Sequence, residues 1–337
     1  MLSSGVDTLH MSARGAVRGE VWTELEDAER RAQSEDEAVP LDFELMGQAF
    51  LLKPYGLRGY AYWLASRDFE LLLGRSERFP AALVQLHSAY LHSMGVEWAV
   101  GLVEQLLRLE VFAGRPGLAV SRVDLYADAI GWDLVLADLD RFVCRGRSRR
   151  EFVDREQAFA TGRRPTGFMF GRDALVGRLY DKTVEIALRG VTWLPDLWGE
   201  REAAVWRLEL QYRRPVLVEF GLRSVDEVLA GVQDLWRYGT GEWLTLRTPT
   251  ADPRPHRWPV DARWRDVAAV QVAPESSGVV RRRLDEATEA RIVSGLQGYL
   301  TSWAALRESR GLVPTLEAVG RSWTATWPSA AAPSRRR

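Results

Sequence analysis

Residues 177–182 read Gly-Arg-Leu-Tyr-Asp-Lys, and together with two further segments this stretch decides the fold. Those segments are residues 121–128, Ser-Arg-Val-Asp-Leu-Tyr-Ala-Asp, and residues 206–211, Trp-Arg-Leu-Glu-Leu-Gln. Side chains alternate between the two faces of a strand. Each of the three segments is therefore predicted to have one face that is more polar than the other. If the strands lie in one sheet with these faces together, carboxylates, a tyrosine and several cations converge. Such a set is typical of a site that handles phosphate.

Ten side chains are predicted to share this polar face: Arg122, Asp124, Tyr126, Asp128, Arg178, Tyr180, Lys182, Arg207, Glu209 and Gln211. Each acidic residue alone has a simpler interpretation, because Asp124 or Asp128 could pair with a neighbouring arginine on a solvated sheet. Tyr180 alone would be an ordinary sheet tyrosine. The functional interpretation rests on the combination of all three strands.

Composition limits the class of protein. The chain has 337 residues, of which 46% are hydrophobic and 27% charged, as in a soluble globular protein. It has no apolar run of about 18 residues, so no membrane association is expected. Cys144 is the single cysteine, which excludes an intrachain disulfide and favours a cytoplasmic location.

Charge is distributed unevenly, although the net charge is only −1. Arginines are dense in residues 141–150 and again in residues 281–283, and either run could be a solvated face or a DNA contact. Lys53 and Lys182 are the only lysines in an arginine-rich chain. A lysine two positions after Tyr180 therefore indicates that a guanidinium does not replace an ammonium there.

Hydrophobic periodicity, together with the Gly and Pro residues between periodic segments, predicts an α+β fold with antiparallel sheets covered by helices on one side. Strands are expected at residues 5–12, 49–53, 60–66, 69–73, 82–90, 121–128, 167–171, 175–182 and 206–211. Helices are expected within residues 18–45, at 96–109 and 132–143, and after residue 224, where Ser-Val-Asp-Glu forms a capping box. Residues 190–200 are predicted to be a loop.

The chain is predicted to divide near its proline-rich segment. Residues 1–247 would form the main domain, residues 248–260 a Pro-rich linker, and residues 261–327 a mainly helical C-terminal region. Residues 328–337 are expected to be a disordered tail.

Taken in order, these motifs resemble the replication initiation factor (Rep_trans) family. The likeness covers about residues 5–245 and is carried by the three strands, together with Phe-Met-Phe-Gly-Arg at 168–172. The family contains rolling-circle replication initiators of plasmids and filamentous phages, and related relaxases of mobile elements. The resemblance implies a nicking domain whose tyrosine cuts one DNA strand and stays bound to the new 5′ end.

The resemblance also implies site roles. Tyr180 would be the nucleophile, and Asp124 and Glu209 would hold a divalent metal ion, Mg²⁺ or Mn²⁺, with Asp128 as a second choice. A phenol with a pKa near 10 needs help to attack a phosphodiester at neutral pH. A hard divalent cation prefers carboxylate oxygens as ligands, and a bound cation of this kind could supply that help. Arg178, Lys182 and Arg207 would neutralise the transition state.

Alternatives stay open from the sequence. Tyr126 shares the polar face and competes with Tyr180, whereas Tyr212 lies on the apolar face. One rival function is a non-catalytic DNA-binding regulator with the same fold, and another is a carboxylate enzyme such as a glycosidase using Asp124 and Glu209. The expected partners are origin duplex and the single-stranded nick site, with a host helicase and a second copy of the chain as further candidates.

Overall fold

The computed structural model describes residues 1–41, 48–57, 59–145, 157–161, 164–199 and 203–273, with residues 300, 304, 313–317 and 319. Two compact units are present, covering residues 1–281 and 282–337. The first unit contains the sheet.

One antiparallel sheet of eleven strands dominates the described residues. Its strands lie in the order β2-β3-β4-β5-β6-β1-β7-β12-β11-β10-β9. Their bounds are β1 Ser3–Arg14, β2 Val39–Pro40, β3 Leu51–Leu52, β4 Tyr62–Ala65, β5 Phe69–Leu73, β6 Ala82–Leu86, β7 Gly117–Ala129, β9 Gln157–Thr161, β10 Arg164–Arg172, β11 Leu175–Asp181 and β12 Trp206–Arg213. Two short strands, β8 Phe142–Cys144 and β13 Leu244–Leu246, form a separate ribbon.

Helices occupy the segments between the strands. Their bounds are α1 Gly19–Glu35, α2 Ser88–Met94, α3 Val96–Leu106, α4 Lys182–Arg189, α5 Trp193–Trp198, α6 Arg214–Glu219, α7 Val225–Ala230, α8 Val232–Tyr238 and α9 Ala262–Ala268. The predicted capping box at Ser224 is confirmed, since its side chain accepts from the Glu227 amide. The α+β fold with a large antiparallel sheet is likewise confirmed. No helix in the described part of the chain is long and apolar enough to cross a membrane.

The apolar face of β7 and β12 anchors the core. Leu125, Leu210 and Tyr212 are fully buried there, and the Tyr212 hydroxyl donates to the Leu235 carbonyl of α8 at 2.6 Å. Fully burying such side chains stabilises the fold by about 1.5–3 kcal/mol each. Because this face is fixed against helices, the alternating polar residues must point to the opposite face.

Four sequence predictions of secondary structure are wrong. Residues 132–143 form only a 3₁₀ turn at Leu136–Arg141 before β8, because Leu136 is exposed and Phe142 is buried as a strand residue. Residues 82–90 change from strand to helix at Ser88, and residues 190–200 contain α5. Strand β11 ends at Asp181, so Lys182 opens a helix. Helices also lie on both faces of the sheet, since α5 contacts Asp128 on the polar face.

The Pro-rich segment and the start of the expected C-terminal region belong to the first unit. Residue Arg247 pairs with Val260, and the 3₁₀ turn Pro255–Arg257 lies between them. Trp264 of α9 is completely buried and donates to the Thr240 carbonyl at 2.8 Å. Residues 248–273 are therefore packed on the sheet-bearing unit. Residues 274–327 of the predicted helical region and the predicted tail at residues 328–337 lie almost entirely outside the described residues.

Candidate active site

Strand register brings the three signature segments together. In the β12–β11 pairing, Glu209 lies opposite Arg178 and Arg207 lies opposite Tyr180. In the β12–β7 pairing, Gln211 lies opposite Asp124. Directly paired residues point to the same face, so the polar sides of all three strands share one face, as the sequence predicts.

Tyr180 is held by a carboxylate on the neighbouring strand. Its hydroxyl donates to Glu209 Oε2 at 3.0 Å, and Arg178 donates to Glu209 Oε1 at 2.7 Å. Lys182 Nζ lies 3.4 Å from the tyrosine hydroxyl oxygen. A phenol that donates to a carboxylate and faces an ammonium has both a proton acceptor and a cation at its oxygen.

The environment keeps Tyr180 protonated at rest. Burial and the negative charge of Glu209 raise the pKa of the Tyr180 hydroxyl well above its usual value. Arg207 opposes that shift. A free phenolate is therefore rare at neutral pH, and Glu209 is the proton acceptor within hydrogen-bond distance of the phenol.

Space beside Tyr180 depends on Gly167 of β10. An added Cβ at this position would lie 2.7 Å from the Tyr180 Cβ and 3.1 Å from the Leu179 carbonyl oxygen. Real Cβ atoms are not found at the first of these distances. The glycine therefore lets β10 pair closely with β11 while Tyr180 keeps its orientation.

Lys182 is fixed by the start of α4. Asp181 caps this helix by accepting from the Val184 amide at 3.2 Å. Lys182 itself is only 8% exposed, and its ammonium pairs with Glu185 at 2.7 Å on the next turn. The helix thus begins two residues after Tyr180, and the side chain of its first residue, Lys182, lies against the phenol.

Asp124 lies on β7 in the same face of the sheet. Both of its carboxylate oxygens accept from Arg122, which forms a two-pronged ion pair. Burial and the nearby Glu209 raise the pKa of Asp124 to about 7, although Arg122 and Arg178 oppose the shift. Two buried carboxylates therefore repel each other here, and a cation between them would relieve that repulsion.

Asp128 and Arg207 belong to a separate, closed network. Arg207 is fully buried and donates to both oxygens of Asp128, at 2.7 and 2.8 Å, and to Asp7 at 2.5 Å. Ser3 and Trp198 also donate to Asp128. These partners satisfy Asp128 and leave Arg207 no solvent-facing donor, so the network positions β1, β7 and β12 rather than facing a substrate.

The competing tyrosine is enclosed by this network. Tyr126 is fully buried, and the Arg207 guanidinium carbon lies 4.0 Å from its ring centroid. Burial raises the pKa of Tyr126 to about 12. Tyr212 is fully buried on the opposite face. Tyr180 lines the cavity beside Glu209, whereas Tyr126 and Tyr212 do not line it.

A cavity of about 940 Å³ runs along this face. One wall is polar and includes Arg122, Asp124, Arg178, Tyr180, Lys182 and Glu209. The other wall comes from α4, α5 and the segment between them. Its apolar residues, which form the apolar wall, are Val184, Leu188, Val191, Trp193 and Leu194, and the charged Glu185 and Arg189 of α4 also line it. Leu188 is 84% exposed, although it lies beside the most polar part of the molecule. Cations facing apolar side chains suit a ligand with both anionic and flat apolar parts.

The predicted metal ligands fit this cavity only in part. Asp124 and Glu209 line it, whereas Asp128 does not. Within the described residues, no three His, Cys, Asp or Glu side chains form a group that could hold a metal ion. Mg²⁺ typically takes one or two carboxylates and completes its shell with water and substrate phosphate. Asp124 and Glu209 are a donor pair of that kind.

Sequence reasoning missed Asp7 of β1. Its carboxylate lines the cavity and pairs with Arg207, while Ser88 donates to it at 2.9 Å. Burial raises the pKa of Asp7, but Arg207 and Lys182 outweigh burial and hold it below its usual value. A register shift between Val6 and Thr8 interrupts simple alternation at this point. Asp7 is the only acidic residue of β1, and that was the available signal.

Most arginines of the two arginine-rich runs lie outside the described residues. Arg141 pairs with Asp138 at 2.6 Å and with Asp261 at 2.5 Å, and Arg145 pairs with Glu242 at 3.1 Å. Arg141 is therefore a structural residue that joins the 3₁₀ turn to α9. Residues 146–150 and 281–283 are outside the described residues.

No protein-family model matches this chain, and no curated protein matches it. The solved structure of a rolling circle replication initiator protein from Geobacillus stearothermophilus is similar over 81% of this chain and 99% of its own, with 16% sequence identity and a TM-score of 0.44.

Proposed function

We propose that this chain is a rolling-circle DNA replication initiator that nicks one origin strand by attack of Tyr180 on a phosphodiester. The observation that carries the proposal is the hydrogen bond from the Tyr180 hydroxyl to Glu209, beside Lys182 and Arg178, in an open cavity. The motif resemblance supports it independently. Plasmid or mobile-element origin DNA is the proposed substrate.

The proposed step balances atoms and charge within these residues. Tyr180 Oη forms a bond to phosphorus, and its proton passes to Glu209 Oε2. The bond from phosphorus to the 3′ oxygen breaks, and that oxygen leaves with the electron pair and takes a proton from Lys182 or solvent. The products are a 5′-phosphotyrosine link and a free 3′-OH primer, and the link conserves the bond for rejoining.

Cations on the polar wall stabilise the phosphorane oxygens. Lys182 is nearest to the nucleophile, and Arg178 reaches the same carboxylate that accepts the proton. Arg207 acts by positioning, through Asp7 and Asp128. When bound by Asp124 and Glu209, a divalent ion would polarise the scissile phosphate.

Tyr180→Phe tests the proposal. The change removes one oxygen and keeps the ring, so folding and DNA binding should persist while covalent adduct formation falls to background. Adducts are measured on denaturing gels with single-stranded origin oligonucleotides and Mg²⁺ or Mn²⁺, and mass spectrometry maps the modified residue. Tyr126→Phe is the matched control and should keep forming adducts.

Two outcomes would change the conclusion. Phosphotyrosine on Tyr126, or strong adduct formation by Tyr180→Phe, would overturn the nucleophile assignment. No adduct from the parental chain, with intact DNA binding, would favour a non-catalytic regulator of the same fold. The glycosidase alternative gains no support from the geometry, because Tyr180 faces Glu209 directly, as the nicking hypothesis requires.

A further inference from the structure

A row of polar side chains continues the cavity away from Tyr180. Glu70 on β5 lies opposite Gln85 on β6, Gln85 lies opposite His10 on β1, and His10 lies opposite Arg122 on β7. All four line the same cavity as the tyrosine. Three, four and five strand spacings of about 4.8 Å separate His10, Gln85 and Glu70 from β11, so these side chains lie roughly 14 to 24 Å from the Tyr180 strand across the sheet.

Three members of the row have no side-chain partner in the chain. The side chains of Glu70, Gln85 and His10 are half-buried, yet none forms a hydrogen bond or ion pair with any residue that the structure describes. Their polar atoms are open to the cavity rather than enclosed by protein. Three unpaired groups on adjacent strands, directly opposite one another, therefore present free donors and acceptors to whatever occupies the cavity.

The charge at this end differs from the charge around Tyr180. His10 is neutral at physiological pH, because burial and the nearby Arg122 lower its pKa to about 3. Gln85 has an uncharged amide and Glu70 has an acidic side chain. None of these three side chains therefore offers a positive charge to a phosphate. A carboxylate repels the DNA backbone, but it accepts hydrogen bonds from the amino groups of bases.

We propose that Glu70, Gln85 and His10 read base edges of the nicked strand at a distance from the scissile phosphate. This rests on the proposed function and adds sequence selection to the catalytic face itself. An amide such as Gln85 can contact adenine through two hydrogen bonds, and a carboxylate can accept from the cytosine amino group. The cavity then has a phosphate end at Arg178 and Lys182 and a base-reading end at β5, β6 and β1.

Binding selection with the full chain carrying Tyr180→Phe tests the inference without requiring cleavage. A single-stranded DNA library with about a dozen random positions, a length typical of single-strand binding sites, is bound, recovered and sequenced. The reference protein should show base preferences at one or two positions. Gln85→Ala and Glu70→Ala should each lower the preference at one position by about ten-fold or more, with little change elsewhere.

Gln33→Ala on the exposed surface of α1 is the matched control and should leave every preference unchanged. Folding is compared by thermal melting, and Gln85→Glu provides a second variant that alters the preferred base instead of removing it. Preferences that are identical in the reference, Gln85→Ala and Gln85→Glu proteins would overturn the inference, and so would a library with no preference at all. Because adduct formation by the parental chain is measured separately, failure of the proposed function gives a different result.

Discussion

Lys182 tests the site at the scale of one residue. Its ammonium lies between the Tyr180 hydroxyl and Glu185 and is nearly buried, so a longer planar guanidinium does not fit without displacing one of them. Lys182→Arg is expected to slow adduct formation by about ten-fold or more. Lys53→Arg, at the only other lysine, is the control and should match the parental rate in the same gel assay. Full activity of Lys182→Arg would show that the lysine has no special role.

Asp124 gives a pH-dependent signature of the buried carboxylate pair. Its pKa is about 7 in the folded chain against an ordinary value of 3.8, so unfolding releases a proton between these values. By linkage, Asp124 makes the folded state less stable as pH rises from about 4 to about 7. Thermal melting in EDTA should show this slope in the parental protein and a shallower one in Asp124→Asn. Parallel melting curves for the two proteins would contradict the assigned pKa.

At the scale of an element, helix α4 connects the Tyr180 strand to the apolar wall of the cavity. It begins one residue after β11 ends, and its next two turns carry Val184 and Leu188 into the apolar wall of the cavity. Under the proposed function, we expect unpaired bases to pack on this wall, where Leu188 is exposed beside cations. A single strand should therefore bind better than a duplex, whose bases are already stacked.

Leu188→Ser tests the role of this helix. Losing a large apolar contact should weaken single-stranded DNA binding by about ten-fold, since burying a leucine contributes about 1.5–3 kcal/mol. Leu197→Ser is the matched control, because Leu197 is 49% exposed on α5 but does not line the cavity. Fluorescence anisotropy with a labelled oligonucleotide measures both. Equal affinities of the two variants would remove the apolar wall from the binding site.

At the scale of the whole molecule, the end of the sheet-bearing unit decides where the chain can be divided. Trp264 and Val267 of α9 are buried in the core formed with Trp236 and Phe142. Removing a buried tryptophan costs about 3–5 kcal/mol. A functional boundary at residue 247 or 260 would therefore cut through this core, whereas the compact unit extends to Arg281.

Two truncations follow from that boundary. A chain ending at residue 250 should melt at a markedly lower temperature than the parental chain, because it lacks α9. A chain ending at Arg281 should melt normally and still form adducts with single-stranded DNA, but lose selectivity for duplex origin if the remaining C-terminal residues recognise it. Gel-shift competition between origin and unrelated duplex measures that selectivity. Unchanged selectivity in the shorter chain would assign recognition to the sheet-bearing unit alone.

The sequence by itself determined which side chains share a face. Alternation along residues 121–128, 175–181 and 206–211 is local, so it placed Asp124, Tyr180 and Glu209 on one side before any contact was known. Lys182 was correctly associated with the tyrosine, although a helix and not a strand presents it. These features depend on near neighbours in the chain, which is why periodicity and capping patterns carry them.

Only the tertiary structure decided how deep each polar residue lies and what it contacts. Arg207 and Asp128 have the same alternation as Arg178 and Glu209, yet long-range packing of β1 and α5 closes them into a buried network. The bulge that brings Asp7 to Arg207 and the loss of the helix expected at residues 132–143 have the same origin. Burial and pairing here depend on residues 70 to 200 positions apart in the chain, and a local pattern contains no information about them.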